Sequence, residues 1–215
     1  MTPPRFDWLA PHYAWVERAT HGGLLQWCRT ALVGELADAR RALILGEGDG
    51  RFLAAFRGVN PTADVDVVDS SPAMLALARR RIAGLPGADR VRWHVADARK
   101  GAPPPGPHDL VVTNFFLDCF GPADLAPLIG RLAATLVPGG RWLVGDYALP
   151  AGRLARPLAR LTLAAMYAAF AVTTRIPARR LTDPAPLLRA HGLTPEREAR
   201  RLGGFLAATL WRKAG

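Results

Sequence analysis

The sequence predicts an α/β fold: a mostly parallel sheet with helices on both faces. Short apolar runs alternate with amphipathic helical segments through the middle of the chain, as in successive strand–helix–strand units. Polar residues collect where the strands end, with Asp69, Asp97 and Asp146 closing three of the first five and Asn114 a fourth. Half of the 215 residues are apolar, ample for one large core.

From Asp7 to Ala39 the pattern is helical. Leu24, Cys28, Leu32 and Leu36 recur every four residues on one face. Ala42–Leu45 is a short strand stopped by Gly46-Glu47-Gly48-Asp49-Gly50, and a helix follows over Arg51–Gly58. Val65–Val68 is a second strand ending at Asp69. Ser70-Ser71-Pro72 opens the next helix with serine at the cap and proline in the first turn, and Met74, Leu75, Leu77 and Ala78 supply its apolar side. Val91–Val95 is the third strand. The proline cluster at 103–107 is a rigid loop leading to the fourth, Leu110–Thr113. Leu125, Leu128, Ile129, Leu132 and Leu136 mark an amphipathic helix stopped by Val137-Pro138-Gly139-Gly140. Trp142–Gly145 is the fifth strand. Leu193–Glu198 and Phe205–Trp211 are the last two, joined through Gly203-Gly204.

Composition excludes several classes. Cys28 and Cys119 cannot form a disulfide scaffold or a four-ligand zinc site, and the histidines lack metal-ligand spacing, so no metal is expected. The start has no basic and apolar leader, and the longest uncharged apolar stretch, Leu161–Thr174, falls short of the roughly 20 residues that span a bilayer. A cytoplasmic protein is expected. The net charge is +10. Arginine supplies nearly all of the positive charge, with Lys100 and Lys213 the only lysines. Such a balance fits an anionic partner, and it equally fits the arginine- and alanine-rich habit of a GC-rich coding sequence.

Ligands of open α/β sheets lie beyond the carboxyl ends of the strands. Gly46, Gly48 and Gly50 at the first strand-to-helix turn permit close backbone approach to a ligand. They do not complete the G-x-G-x-x-G dinucleotide fingerprint, and the phosphate-loop lysine is missing. Asp69 offers a carboxylate that can accept both hydroxyls of a ribose. Asp97, with the Ala98 N–H, can read an adenine edge.

Ala42–Gly50 resembles motif I of the class I S-adenosylmethionine-dependent methyltransferases. Val67–Leu75, Val95–Ala98, His108–Val112 and Leu136–Arg141 are similar to the later motifs of that superfamily, in order and at the usual spacings. Phe6–Tyr13 is similar to the N-terminal cap of its ubiquinone/menaquinone C-methyltransferase-like branch. The resemblance implies a Rossmann-like class I methyltransferase fold with a seven-stranded sheet and an N-terminal helical cap. It implies one domain over 1–215, with the cap at 1–40, the cofactor-binding core at 41–150, and a lid helix and last strands at 151–215. It also implies the cofactor S-adenosylmethionine, held by Gly46, Glu47, Gly48, Gly50, Asp69, Ser70, Met74, Asp97, Ala98 and Asn114. Ile44 stands where many members carry an acid, and Glu47 is the candidate to replace it at the methionine amino group.

The acceptor is expected over strands four and five, with Asp118, Tyr147 and Tyr13 as candidate catalytic residues. Asp118 is a base, a counter-charge to a cationic substrate, or an exposed helix-start acid. Cys119 reads as a small core residue. Asn114-Phe115-Phe116 lacks the prolines of the nucleobase amino-methylation box, which argues against methylation of DNA or RNA adenine; the acceptor expected is a small molecule, lipophilic or aromatic. The arginine-flanked stretch 153–180 is either a basic, amphipathic lid that favours a lipophilic or anionic substrate and touches an anionic membrane, or a lid packed into its own core with solvated arginine ends. The rival reading is a non-catalytic Rossmann-like binding protein that holds nucleic acid or a protein partner on its basic faces.

Overall fold

The strand residues alternate between two buried faces, which forces cover on both sides of the sheet. The computed structural model describes residues 23–150, 152, 155–173 and 180–215, with backbone only for 169–173. Its helices are α1 (Leu24–Thr30), α2 (Arg51–Val59), α3 (Pro72–Ile82), α4 (Pro122–Thr135), α5 (Ala155–Thr173) and α6 (Ala185–Ala190). Its strands are β1 (Arg41–Leu45), β2 (Asp64–Asp69), β3 (Val91–Val95), β4 (His108–Asn114), β5 (Leu136–Tyr147), β6 (Leu193–Arg201) and β7 (Leu206–Lys213). They form one seven-stranded sheet in the order β3-β2-β1-β4-β5-β7-β6. β1 to β5 run parallel, and β7 is antiparallel to both β5 and β6.

Ala42 and Ile44 face one layer, with Phe52, Phe56, Val65, Val67 and Leu75. Leu43 and Leu45 face the other, with Val111, Leu128, Leu132, Trp142 and Trp211. A third cluster joins Leu25 and Cys28 of α1 to Tyr147, Leu163, Tyr167 and Leu206. It brings α1 and α5 to the strand ends where a ligand is expected.

The expected helical run to Ala39 is interrupted within the described residues. α1 ends at Thr30, and only a short 3-10 turn follows over Val33–Leu36. Val33-Gly34 is a weak helix former, so the four-residue spacing marks burial of Cys28 and Leu36 without a continuous helix. Leu136 is likewise the first residue of β5, pairing with His108, and not the end of α4. No helix lies between β3 and β4. The proline-containing loop runs beside a cavity of about 460 Å³ lined in part by Val68, His94, Pro104 and Arg131.

The sheet order reverses between β1 and β4. Adjacent loops there leave on opposite faces and open a crevice, the usual ligand position in such sheets.

Candidate functional site

The crevice begins with the glycine turn. Gly46, Gly48 and Gly50 all have left-handed φ, at 65°, 66° and 86°. A Cβ at Gly46 would collide with the Phe116 ring, and one at Gly50 would lie 2.7 Å from Ala78 Cα, against the backbone of α3. At Gly48 a Cβ would meet nothing within 4 Å. The first and last glycines therefore permit close packing, whereas the middle one fronts open space. Asp49 locks the turn to both helices: it accepts from Arg51 Nε at 3.0 Å and from Arg81 of α3 at 2.8 Å.

Asp69 ends β2 beside this turn. Its Oδ2 accepts from the Gly48 N–H at 3.1 Å and its Oδ1 from the Ser71 N–H at 2.9 Å. Two backbone donors thus fix the carboxylate at the lip. Ser71 rather than Ser70 caps α3, accepting from the Met74 N–H at 3.1 Å. Ser70 is half-buried next to Asp69, and Met74 is buried in α3.

Glu47 is buried, and its Oε1 accepts from the Leu53 N–H at 2.8 Å in the first turn of α2. Burial pushes its carboxyl up to about 8; the Leu53 bond and the Arg29 charge oppose that rise without cancelling it. Glu47, Gly46, Gly48, Asp49 and Arg29 line a small cavity with Asn114 and Phe115.

Asn114 is the decisive side chain. It is buried, and neither its Oδ1 nor its Nδ2 has a hydrogen-bond partner. A Cβ at Gly145 would collide with its Oδ1, so only glycine in β5 leaves it room. The next residue, Phe115, holds φ at 51°, a strained value for a bulky side chain. An orphaned buried amide costs about 1–3 kcal/mol, which a ligand bearing donors and acceptors would recover. Replacing Asn114 by Ala is expected to leave the melting temperature unchanged or raise it by about 2 °C, while weakening S-adenosylhomocysteine binding about tenfold. Thermal melts and calorimetry check it; a marked loss of stability with intact affinity would make Asn114 a packing residue.

The adenine-edge candidates follow the end of β3. The Asp97 carboxylate is taken up by Arg99, whose Nη2 lies 2.6 Å from Oδ2 and whose Nε lies 2.9 Å from Oδ1. That hydrogen bonding holds Asp97 below the usual carboxylate range. The Ala98 carbonyl accepts from Arg131 at 2.8 Å.

Asp118 is buried, which overturns its reading as an exposed helix-start acid. Asp146 of β5 is buried beside it: Asp146 Oδ2 accepts from the Asp118 N–H at 3.2 Å, and Oδ1 from the Tyr147 N–H at 2.8 Å. Burial pushes Asp118 up to about 6. Burial and then the neighbouring Asp118 charge push Asp146 well upward. Two carboxyls so enclosed resist being ionised together. The Cys119 thiol lies 3.5 Å from Asp118 Oδ1, so it belongs to this polar cluster while packing partly against the core. Tyr147 is buried, with its ring edge-on to Phe115 at 5.3 Å and tilted against Phe205 at 5.5 Å. Tyr13 and the cap motif lie outside the described residues.

Sequence reading missed two participants. Arg29 of α1 sits over the Phe115 ring at 5.1 Å and lines the cavity with Glu47. Tyr167 of α5 buries a hydroxyl that has no partner. Both reach the site across long sequence separations that leave no local signal.

A methyltransferase-domain family model matches residues 43–142, from within β1 to the middle of β5. Residues 43–142 therefore form a methyltransferase domain, and the chain is similar to S-adenosylmethionine-dependent methyltransferases over a wider span. A demethylmenaquinone methyltransferase of Thermus thermophilus is 35% identical over 147 residues, covering 67% of this chain and 65% of that one. A trans-aconitate 2-methyltransferase of Methylobacterium radiotolerans is 37% identical over 127 residues, covering 58% and 45%. The chain therefore spans less than two thirds of the length of these curated relatives. Among solved structures, the S-adenosylmethionine-dependent methyltransferase SibL superposes with a TM-score of 0.71 at 25% identity, covering all of this chain and 63% of that one. The 1,6-didemethyltoxoflavin-N1-methyltransferase of Burkholderia thailandensis shares the fold, with a TM-score of 0.64 at 21% identity, covering 97% of this chain and 86% of that one. These matches favour the methyltransferase reading over the non-catalytic binding protein.

Proposed function

We propose that this methyltransferase domain transfers a methyl group from S-adenosylmethionine to a small-molecule acceptor. The observation that carries the reading is the unpartnered Asn114 amide, set at the switch point beside the open glycine turn. When bound, the cofactor supplies a methyl group activated on a cationic sulfur. The chain's own residues hold and orient it. Gly46, Gly48 and Gly50 shape the turn for close backbone approach, and Asp69, steadied beside Ser70 and Met74, takes the ribose hydroxyls. Asn114, Glu47 and Arg29 receive the methionine end. Ala98 and Asp97 border the adenine, with Arg99 swinging away for Asp97 to accept. The fit rests on a cradle that Cβ atoms would fill and on an amide that lacks partners.

Catalysis in this reading is mostly orientation and exclusion of water. Asp118, held up to about 6 by burial beside Asp146, accepts the acceptor's proton where one must leave. Tyr147 forms the wall, and Tyr13 enters on the resemblance alone. The free thiols of Cys28 and Cys119 suit a reducing, cytoplasmic setting.

The test is calorimetric titration with S-adenosylhomocysteine, followed by labelled-methyl transfer to a panel of small acceptors. Micromolar binding and label on an acceptor support the reading. Folded protein that binds neither cofactor form removes it.

One observation favours a second feature of the lid. Leu158 and Leu161 of α5 are exposed, and Arg156 is exposed near the start of the same helix, although no described helix is long and apolar enough to cross a membrane. The outer face of α5 therefore fits peripheral contact with anionic lipid. Co-sedimentation with phosphatidylserine vesicles at low salt is expected, and its loss in Leu158→Ser/Leu161→Ser checks the assignment. Equal sedimentation of that variant would refute it.

A further inference from the structure

α5 buries Ala159, Leu163 and Tyr167 on one face, four residues apart, and Leu163 and Tyr167 pack in the cluster that holds Tyr147 of β5 and Leu206 of β7. Beneath it is a cavity of about 500 Å³, within the range that encloses small ligands. Leu149, Leu163 and Ala164 give it apolar walls. Its buried end carries the Tyr167 hydroxyl, which has no hydrogen-bond partner, and Thr182 Oγ1 is a second buried oxygen without one. The Tyr167 hydroxyl lies in the field of Asp118 and Asp146, the carboxyls assigned above to the reacting end. The exposed part of the lining is cationic. Arg160 and Arg180 both reach it, and neither forms an ion pair among the described residues.

Those features sort ligands by charge and position. An ammonium compound would meet two guanidiniums before reaching any acid. A purely apolar compound would leave both arginines and the Tyr167 hydroxyl without partners. A carboxylate at the mouth satisfies the arginines with charge-assisted hydrogen bonds. An oxygen at the deep end satisfies Tyr167, which costs energy while it stays buried and unpaired.

We propose that this cavity is the acceptor site, and that its substrate is an apolar acid. The acidic group sits at Arg160 and Arg180, the apolar body lies against Leu149 and Leu163, and an oxygen at the far end meets the Tyr167 hydroxyl. The inference rests on the methyl-transfer reading and names the acceptor class for it.

Three probes of matched shape test it: naphthalene-2-carboxylate, 2-naphthol and 2-(aminomethyl)naphthalene. Each is titrated calorimetrically into the full chain after saturation with S-adenosylhomocysteine. The carboxylate is expected to bind at least about tenfold more tightly than the amine. Arg160→Gln/Arg180→Gln is expected to remove about tenfold of the carboxylate affinity and to leave naphthol and S-adenosylhomocysteine binding unchanged. Tyr167→Phe removes an unpaired hydroxyl without disturbing packing, and is expected to weaken naphthol several-fold. S-adenosylhomocysteine binding with no preference for the carboxylate, or with no loss in the arginine variant, overturns the acceptor class and leaves the methyltransferase reading standing. Failure of S-adenosylhomocysteine to bind at all overturns both.

Discussion

Replacing Asp69 by Ala is expected to weaken S-adenosylhomocysteine binding by about two orders of magnitude or more. An ionised carboxylate accepts from two adjacent hydroxyls, and hydrogen bonds to charged groups contribute about 1.5–3 kcal/mol each. Two of them correspond to at least about a hundredfold in affinity. The same carboxylate also serves the fold, because it accepts from the Gly48 and Ser71 N–H groups. Asp69→Ala should therefore also lower stability, by about 2 kcal/mol. Asp69→Asn separates the two effects: its single amide oxygen can restore one backbone bond, but it cannot serve both hydroxyls as a charged acceptor. It should recover part of the stability and little of the affinity. Calorimetry and thermal melts on both variants decide the matter, and full affinity in Asp69→Asn would end the ribose assignment.

The legible part of this molecule is the part written in short spacings. β1 and β4 carry short apolar runs, β2 and β3 interleave apolar with polar residues, and the residues that close the strands, from the glycine turn to Asn114, stand next to the segments that place them. The cap of α3 is readable for the same reason, since Ser71 and Met74 are three residues apart. What spacing does not encode is which distant groups share an enclosure. The sequence leaves Asp118 open between a base, a counter-charge and an exposed acid because its neighbours do not reveal that β5 lays Asp146 against its N–H. Asp66, at an inward position of β2, gathers Arg92 at 3.0 Å and His94 at 2.9 Å from β3. Against its burial, those bonds hold it below the usual carboxylate range. Part of the arginine excess is thus spent inside the fold, on Asp49, Asp66 and Asp97, where a count of charges sees only a basic surface.

Glu47 should make the stability of the cofactor-free protein fall as pH rises. Its carboxyl ionises near 4.5 in an unfolded chain and is pushed up to about 8 by burial in the fold. Between those values the folded state holds a proton that the unfolded state has released. The stabilisation is therefore complete below about pH 4.5, declines through the interval, and is gone above about pH 8. Its full extent is on the order of 5 kcal/mol. Asp118 and Asp146 act in the same direction, Asp118 up to about pH 6. His108 opposes them below about 6.5, because burial lowers its pKa and keeps it neutral while the unfolded imidazole takes a proton. From about pH 6.5 to 8 Glu47 contributes to the slope together with Asp146, and Glu47→Gln, which keeps an acceptor for the Leu53 N–H, should make it shallower. A parallel pH profile in that variant would show that Glu47 ionises normally. The same proton reports on function. If Glu47 meets the ammonium group at the methionine end, the positive charge draws its proton off, and S-adenosylhomocysteine binding at pH 7 releases about one proton. Titrations in two buffers of different ionisation enthalpy would then give different heats for the natural chain and equal heats for Glu47→Gln. Equal heats in both proteins would leave Glu47 a cap for α2 and assign the ammonium group to Asn114 alone.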